Sequence, residues 1–211
     1  MDTLALARMM QFGDSMLPTG AFAFSNGLEA AVQTKVVHDA ETLRQFTETA
    51  LEQAASGDAV GVAWAVRAAR HARDGENDEA MGLLRLTDNA LFVRKLPEES
   101  RSMFTRTGKK LAEMGAAVTA SPLASRWLEL IRAGGTPGTY PVTLAVLFAA
   151  MHEDRAPAVP AAADPAAPPD DPLLQEALTV HLYGVVMGIL NAALRLMRLT
   201  HIEAQALLYG L

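Results

Sequence analysis

Apolar residues recur along most of this chain at intervals of three and four, the spacing of one helix face, whereas alternating strand patterns are scarce. Gly, Pro and polar capping residues divide that pattern into successive helices. The predicted helices cover residues 39–56, 58–75, 78–93, 97–119, 122–133, 141–152, 172–197 and 200–209. The pattern therefore predicts an all-α fold, a single-domain bundle of about eight to ten helices over residues 1–211.

Several of these helices begin with a specific local signal. Asp39 and Asp58 are each placed to cap a helix through the side-chain carboxylate. Pro97 suits a first helical position, because its fixed φ matches the helix and the N–H it lacks would be unpaired there. Ser121-Pro122 and Asp171-Pro172 join a capping residue to a proline, so both predict the start of a new helix.

The segment 177–194 is mostly apolar and is the one stretch that resembles a membrane span. It is barely long enough to cross a bilayer, which takes about 20 residues, and no second span accompanies it. We therefore interpret it as a central buried helix near the C-terminus. Gly184 and Gly188 would then mark its closest crossing with another helix, and His181 would be a core histidine whose hydrogen bonds are satisfied.

Residues 155–171 differ from the rest of the chain, because Ala, Pro and Asp dominate them. Such a low-complexity segment cannot bury enough apolar surface to fold by itself. We expect a mobile or polyproline-II-like surface loop. A domain boundary is the alternative, although only about 40 residues follow the segment.

Composition and charge narrow the function classes. The chain has 211 residues, half of them hydrophobic, and a net charge of −6, which argues against a nucleic-acid-binding protein. It has no cysteine, which excludes disulfides, Cys-ligated zinc and thiol nucleophiles. The N-terminus lacks the basic region of a signal peptide, so we expect a cytoplasmic protein that does not span a membrane.

Near the N-terminus, residues 11–29 form a polar segment punctuated by Gly and Pro between apolar runs. Pro18 fixes its own φ and favours extended geometry in the residue before it. Gly20 and Gly27 permit a positive φ. An ordinary connection between two helices would show much of the same chemistry.

The polar side chains of this segment suggest how it folds locally. Asp14 or Ser15 can accept backbone N–H bonds in a turn. Ser25 is placed to cap a helix that has Glu29 in its first turn. Phe22 would anchor the loop against the rest of the protein.

The residue order from 14 to 29, Asp-Ser-x-Leu-Pro-x-Gly-x-Phe-x-x-Ser-x-Gly-Leu-Glu, resembles the signature of the urease accessory protein UreF family. Every fixed position of that pattern is present. The resemblance implies that these residues contribute to a partner interface. The candidates from this segment are Asp14, Ser15, Pro18, Gly20, Phe22, Ser25, Gly27 and Glu29.

The resemblance continues further along the chain. The run 96–101 followed by Gly108 resembles the second conserved helix of UreF proteins, and later segments resemble the long buried helix and the one after it. These matches add the interface candidates Glu98, Arg101, Arg195 and Gln205. Tyr140 stands where the family usually has His, so no metal role is carried to that position.

By resemblance, the chain is an adaptor chaperone and not an enzyme. It would bridge a UreD/UreH-type accessory protein and a UreG-type GTPase during nickel insertion into the urease apoprotein, and it would form a homodimer. Nickel and GTP would belong to the partners, with no cofactor bound by this chain. The residues agree, because a phosphate-binding loop is missing and the five histidines are far apart in sequence.

Two alternatives of other classes remain open at this stage. One is a generic all-α interaction module with an unrelated partner. The other is a small helical enzyme that uses Glu29, Glu98 or His201, which a cleft with perturbed titratable groups would favour. Glu98 and Arg101, three residues apart on a helix, are more simply interpreted as a surface ion pair.

Overall fold

The computed structural model describes residues 3–14, 16–20, 24–73, 77–152 and 171–211, and within them it contains helices and no strand. The predicted all-α fold is confirmed. The ten helices of the described residues are α1 Thr3–Gly13, α2 Leu28–Gln33, α3 Ala40–Ser56, α4 Asp58–Arg73, α5 Asn77–Arg94, α6 Glu98–Thr119, α7 Pro122–Arg132, α8 Tyr140–Met151, α9 Pro172–Leu196 and α10 His201–Gly210.

The helix starts follow the local signals. Asp39 forms a capping box with the third residue of α3, and Ser121 accepts a bond from the first turn of α7. Asp171 accepts from two backbone N–H groups at the start of α9. Pro97 departs from the expectation by one position, since it precedes α6 instead of occupying its first helical turn.

Two clusters of buried apolar residues form the core, and α9 joins them. The first cluster gathers α4 to α8 around residues 141–150 of α8, all of which are buried. The second gathers α2 and α3 around Val186, Ile189 and Leu190 of α9. Leu173 and Val180, from the first half of α9, belong to the first cluster. This one helix therefore fixes how the two clusters sit together.

α9 is central, but it is not enclosed on every side. It contacts α1, α2, α3, α4, α8 and α10, and yet Thr179, Tyr183 and Gly184 are exposed. It is also the one helix in the described part of the chain whose length and composition suffice to cross a membrane. The packing against these neighbours explains why so much of its surface is apolar.

The expected close crossing at Gly184 and Gly188 is wrong. A Cβ at Gly184 would meet nothing within 4 Å, and one at Gly188 would lie 3.6 Å from Asn26 Nδ2, an ordinary contact. Among the described glycines the tightest approach lies instead at Gly108 of α6, where a Cβ would fall 2.1 Å from the carbonyl oxygen of Gly138. Gly184 thus faces open space, and Gly188 has only ordinary contacts with residues 24–26.

Of the Ala- and Pro-rich segment 155–171, residues 155–170 lie outside the described residues. Its last residue, Asp171, is buried and forms an ion pair with Arg70 of α4. The same carboxylate caps α9, so the segment ends at a fixed point of the fold.

Candidate functional site

A cleft of about 660 Å³ opens between α6 and α9, and we call it the α6–α9 cleft. Its walls come from residues 24–33, the end of α3, the start of α4, residues 95–107 and one side of α9. The volume lies within the range of about 300–1,000 Å³ that is usual for ligand sites. The cleft also contains residues from both segments that the sequence singled out.

Ser25, Gly27 and Glu29 of the N-terminal segment line this cleft. Gly27 adopts φ 85°, as expected for a glycine at a turn, and itself precedes α2. Ser25 does not cap the helix with its side chain, so that prediction is wrong; its carbonyl oxygen instead accepts from Leu28 N at 3.0 Å. Gly27 itself occupies the N-cap position of α2, so Ser25 lies two residues too early for its side chain to cap the helix.

The first half of the segment lies beside the cleft. Asp14 accepts from Met16 N at 2.8 Å, which confirms the predicted turn. Asp14 also lines a smaller pocket of about 70 Å³ that shares Gly184 with the cleft. Pro18 and Gly20 are exposed, and Gly20 has φ 81°. The candidates Ser15 and Phe22 lie outside the described residues.

Arg101 supports the opposite wall of the cleft. Its Nη1 atom donates to the carbonyl oxygens of Lys95 and Leu96, both at 2.9 Å. The expected surface pair with Glu98 is therefore wrong, because the guanidinium is committed to the end of the connection before α6. By holding this connection, Arg101 positions the Lys95 and Pro97 that line the cleft.

The remaining interface candidates, Glu98, Arg195 and Gln205, do not line the cleft. Glu98 is exposed at the start of α6, and its neighbour Glu99 lines the cleft instead. Arg195 is exposed near the end of α9, and Gln205 is exposed on α10. The cleft thus unites part of the first segment with part of the second, and leaves the C-terminal candidates on another surface.

Lys95, Asp58 and His181 lie close together among the residues that line the cleft. Lys95 Nζ donates to Asp58 Oδ2 at 2.7 Å and lies 4.1 Å from the centroid of the Phe104 ring. His181 Nε2 is 4.0 Å from the same Asp58 oxygen, which is too far for a hydrogen bond. Asp58 is the first residue of α4, and its carboxylate pairs with Lys95. The sequence predicted Asp58 only as a helix cap and did not indicate this ion pair.

His181 is not the satisfied core histidine that the sequence suggested. The residue is 3% exposed, and both of its ring nitrogens are buried without a hydrogen-bond partner. Burial lowers the pKa of His181 to about 4, partly opposed by Asp58 and reinforced by Lys95. The imidazole is therefore neutral at pH 7, with one N–H donor and one acceptor unused.

Tyr140 packs near this histidine, with ring centroids 6.3 Å apart. Burial raises the pKa of Tyr140 to about 12, so its hydroxyl stays protonated at physiological pH. Burial is the main cause of the pKa shifts of both His181 and Tyr140, and Asp58 is already paired with Lys95.

The enzyme alternative named Glu29, Glu98 and His201. Of these three residues only Glu29 lines the cleft, so the cleft does not bring them together as a catalytic group.

Because the folded-state pKa of His181 is about 4 and an unfolded histidine titrates near 6.5, the unfolded state takes up the proton first as the pH falls. Stability should therefore drop between pH 6.5 and pH 4. From pH 7 to pH 5, His181 should account for about 2 kcal/mol of that loss. Urea unfolding at both pH values should show a loss smaller by this amount in His181→Leu, with His201→Leu as the matched control. Equal losses in His181→Leu and the parent would contradict the assignment.

Comparisons with known proteins agree with the resemblance seen in the sequence. The family model for UreF matches residues 37–163 and 173–211. A urease accessory protein UreF of Yersinia pestis (strain Pestoides F) is 48% identical over 211 residues, which is 100% of this chain and 81% of that protein. The urease accessory protein UreF of Photorhabdus laumondii subsp. laumondii is 47% identical over 211 residues, with the same coverage. The segment 14–29 precedes the family-model match but lies within both full-length alignments.

Proposed function

Because this chain belongs to the UreF family of urease accessory proteins, we propose that it acts as an adaptor chaperone in nickel insertion into urease. The family is auxiliary, so the chain is not an enzyme and its partners belong to the urease maturation system. In the proposed role it bridges a UreD/UreH-type accessory protein and a UreG-type GTPase, and so brings both to the urease apoprotein in the cytoplasm.

The observation that carries this proposal is the meeting of two distant segments in one cleft. Residues 25–29 and 95–104 are far apart in sequence, yet both line the α6–α9 cleft. Each segment matches a stretch that resembles the UreF family. An adaptor needs such a fixed surface, and a cleft with mixed polar and apolar walls supplies one.

We further propose that the chain forms a homodimer. Several described helices expose large apolar side chains that a lone soluble domain would gain by covering. They are Val60 and Trp64 on α4, Leu86 and Val93 on α5, and Ile202 and Tyr209 on α10. Sedimentation of the purified chain over a range of concentrations would test this, and a monomer at all of them would contradict it.

Co-expression with the urease structural and accessory proteins tests the bridging role. The tagged chain should recover both a UreD/UreH-type protein and a UreG-type GTPase, and should recover the GTPase poorly when the first partner is left out. Purification with and without nickel and GTP shows which complex depends on them. Recovery of an unrelated protein and of no urease component would instead support the generic interaction module.

Nickel and GTP are proposed to bind the partners and not this chain. The sequence supports this, because it has no cysteine, no phosphate-binding loop and only five dispersed histidines. Titration calorimetry of the purified chain with nickel should show at most weak binding, with a dissociation constant above about 10 μM. A tight site of one nickel per chain would contradict this prediction, and the same titration of the chain with its partners is the comparison.

A further inference from the structure

Two glycines of α9 keep the α6–α9 cleft open. Gly184 and Gly188 lie on the same face of the helix as His181 and Val185, and all four line the cleft. Glycine is unfavourable in a helix interior compared with alanine. No neighbouring helix needs the room, since a Cβ at Gly184 would meet nothing within 4 Å. The cleft is thus held open at the expense of helix stability.

His181 lines this cleft with polar ring nitrogens that lack hydrogen-bond partners. Both ring nitrogens are buried and have no hydrogen-bond partner, and leaving such groups unpaired is unfavourable. The neutral imidazole offers one donor and one acceptor. A peptide group also offers one donor and one acceptor, so a polypeptide backbone or an amide side chain can hydrogen-bond to one of the ring nitrogens.

The rim of the cleft is acidic. Glu29 and Glu99 both line it and are exposed, and in the described part of the chain neither carboxylate has an ion pair. The one lysine that lines the cleft, Lys95, is already bound to Asp58. A ligand that enters here meets unneutralised negative charge, which favours a Lys or Arg side chain.

Apolar side chains make up another part of the wall. Ala54, Met103, Phe104 and Val185 all line the cleft. A methionine and a phenylalanine beside each other form an adaptable apolar surface. An apolar side chain of the ligand can therefore be buried next to its basic one.

We propose that the α6–α9 cleft is the docking site for a segment of another protein of the urease maturation system, one that presents an apolar side chain next to a Lys or Arg. The apolar side chain packs on Met103 and Phe104, the basic one pairs with Glu29 and Glu99, and a peptide group hydrogen-bonds to His181. This inference rests on the proposed adaptor function and adds the place and the chemistry of one contact.

Gly184→Leu is the sharpest test, because it places a large side chain in the cleft at a position where the added Cβ meets nothing within 4 Å. The control is Gly82→Leu on α5, where a Cβ also meets nothing within 4 Å. Both variants should raise the thermal midpoint, since leucine is the better helix former. In co-purification with the urease proteins, Gly184→Leu should recover at least about tenfold less of one partner, and Gly82→Leu as much as the parent.

Charge provides a second and independent test. The double variant Glu29→Gln, Glu99→Gln should weaken the same complex about five- to tenfold at low salt and reduce its salt dependence. Glu79→Gln together with Glu129→Gln, at exposed positions on α5 and α7 outside the cleft, makes the same change in net charge and should have no such effect. This pair still tests the proposal if Gly184→Leu does not fold.

The outcomes separate this inference from the proposed function. If the parent chain recovers no urease component, the adaptor function itself fails. If the parent recovers its partners and both cleft variants recover them equally well, the function stands and the docking site is wrong. If the cleft variants lose only self-association in sedimentation, the occupant is a second copy of this chain, and the proposal of a partner segment is overturned.

Discussion

Replacing Asp88 with alanine is expected to lower the free energy of unfolding by about 4 kcal/mol, because it leaves several buried donors unpaired at once. Asp88 is fully buried on α5. Its Oδ2 atom accepts from Thr136 Oγ1 at 2.6 Å and from Gly138 N at 2.7 Å. Its Oδ1 atom accepts from both the backbone N–H, at 2.8 Å, and the hydroxyl of Thr139.

Asp78→Ala is the matched control for this prediction, since it removes a carboxylate from the same helix. Asp78 is exposed and pairs with Arg126 at 2.5 Å on the surface, where an ion pair contributes less than about 1 kcal/mol. Urea unfolding of both variants at pH 7 gives the comparison. A loss in Asp88→Ala no larger than that in Asp78→Ala would show that the carboxylate does not hold this loop.

The same contacts connect Asp88 to the cleft. The residues it binds, Thr136, Gly138 and Thr139, lead directly into α8, whose first residue is Tyr140. Tyr140 lines the α6–α9 cleft and packs near His181. Loss of the Asp88 contacts should therefore disturb one wall of the cleft as well as stability, and partner recovery should fall with it.

The sequence predicted the helices well because their ends are determined locally. A capping residue such as Asp39 or Thr200 bonds within the next three residues, and Pro122 restricts only its immediate surroundings. Such signals lie within a few residues of each other, so a single sequence contains them. α1 and α2 carry weaker signals, since α1 has no acidic residue in its first turn and α2 follows a glycine without a side-chain cap.

The site was predicted in part, and the missing part depends on long-range contacts. Ser25, Gly27 and Glu29 were singled out by resemblance, and they do line the cleft. Asp88 stands out in sequence as a charge on an apolar stripe, but its partners lie 48 to 51 residues away. No local pattern connects residues at that distance.

The predictions for His181 and Gly184 were wrong because they, too, depended on long-range packing. A histidine within an apolar helix is most simply interpreted as a satisfied core residue, and paired glycines as a helix crossing. Both interpretations assume that something packs against that face of α9. The structure places the cleft there instead, and only the fold shows that the face is open.

Replacing Gly108 with alanine is expected to cost at least about 3 kcal/mol, although alanine is the best helix former. Gly108 lies in the middle of α6 and is buried against the start of α8. An added Cβ would lie 2.1 Å from Gly138 O and 2.6 Å from both Thr139 C and Tyr140 N. All three are backbone atoms, so no rotamer change relieves the contact, and α6 and α8 must move apart.

Gly82→Ala and Gly184→Ala are the matched controls, since both positions are helical and a Cβ there meets nothing within 4 Å. These two substitutions should gain about 0.5–1 kcal/mol from helix propensity alone. The sign of the effect therefore reverses between Gly108 and the controls, which one set of urea titrations can show. Gly108→Ala as stable as the parent would mean that α6 and α8 do not meet at this glycine. In that case Tyr140, the residue of α8 that lines the cleft, would also be misplaced.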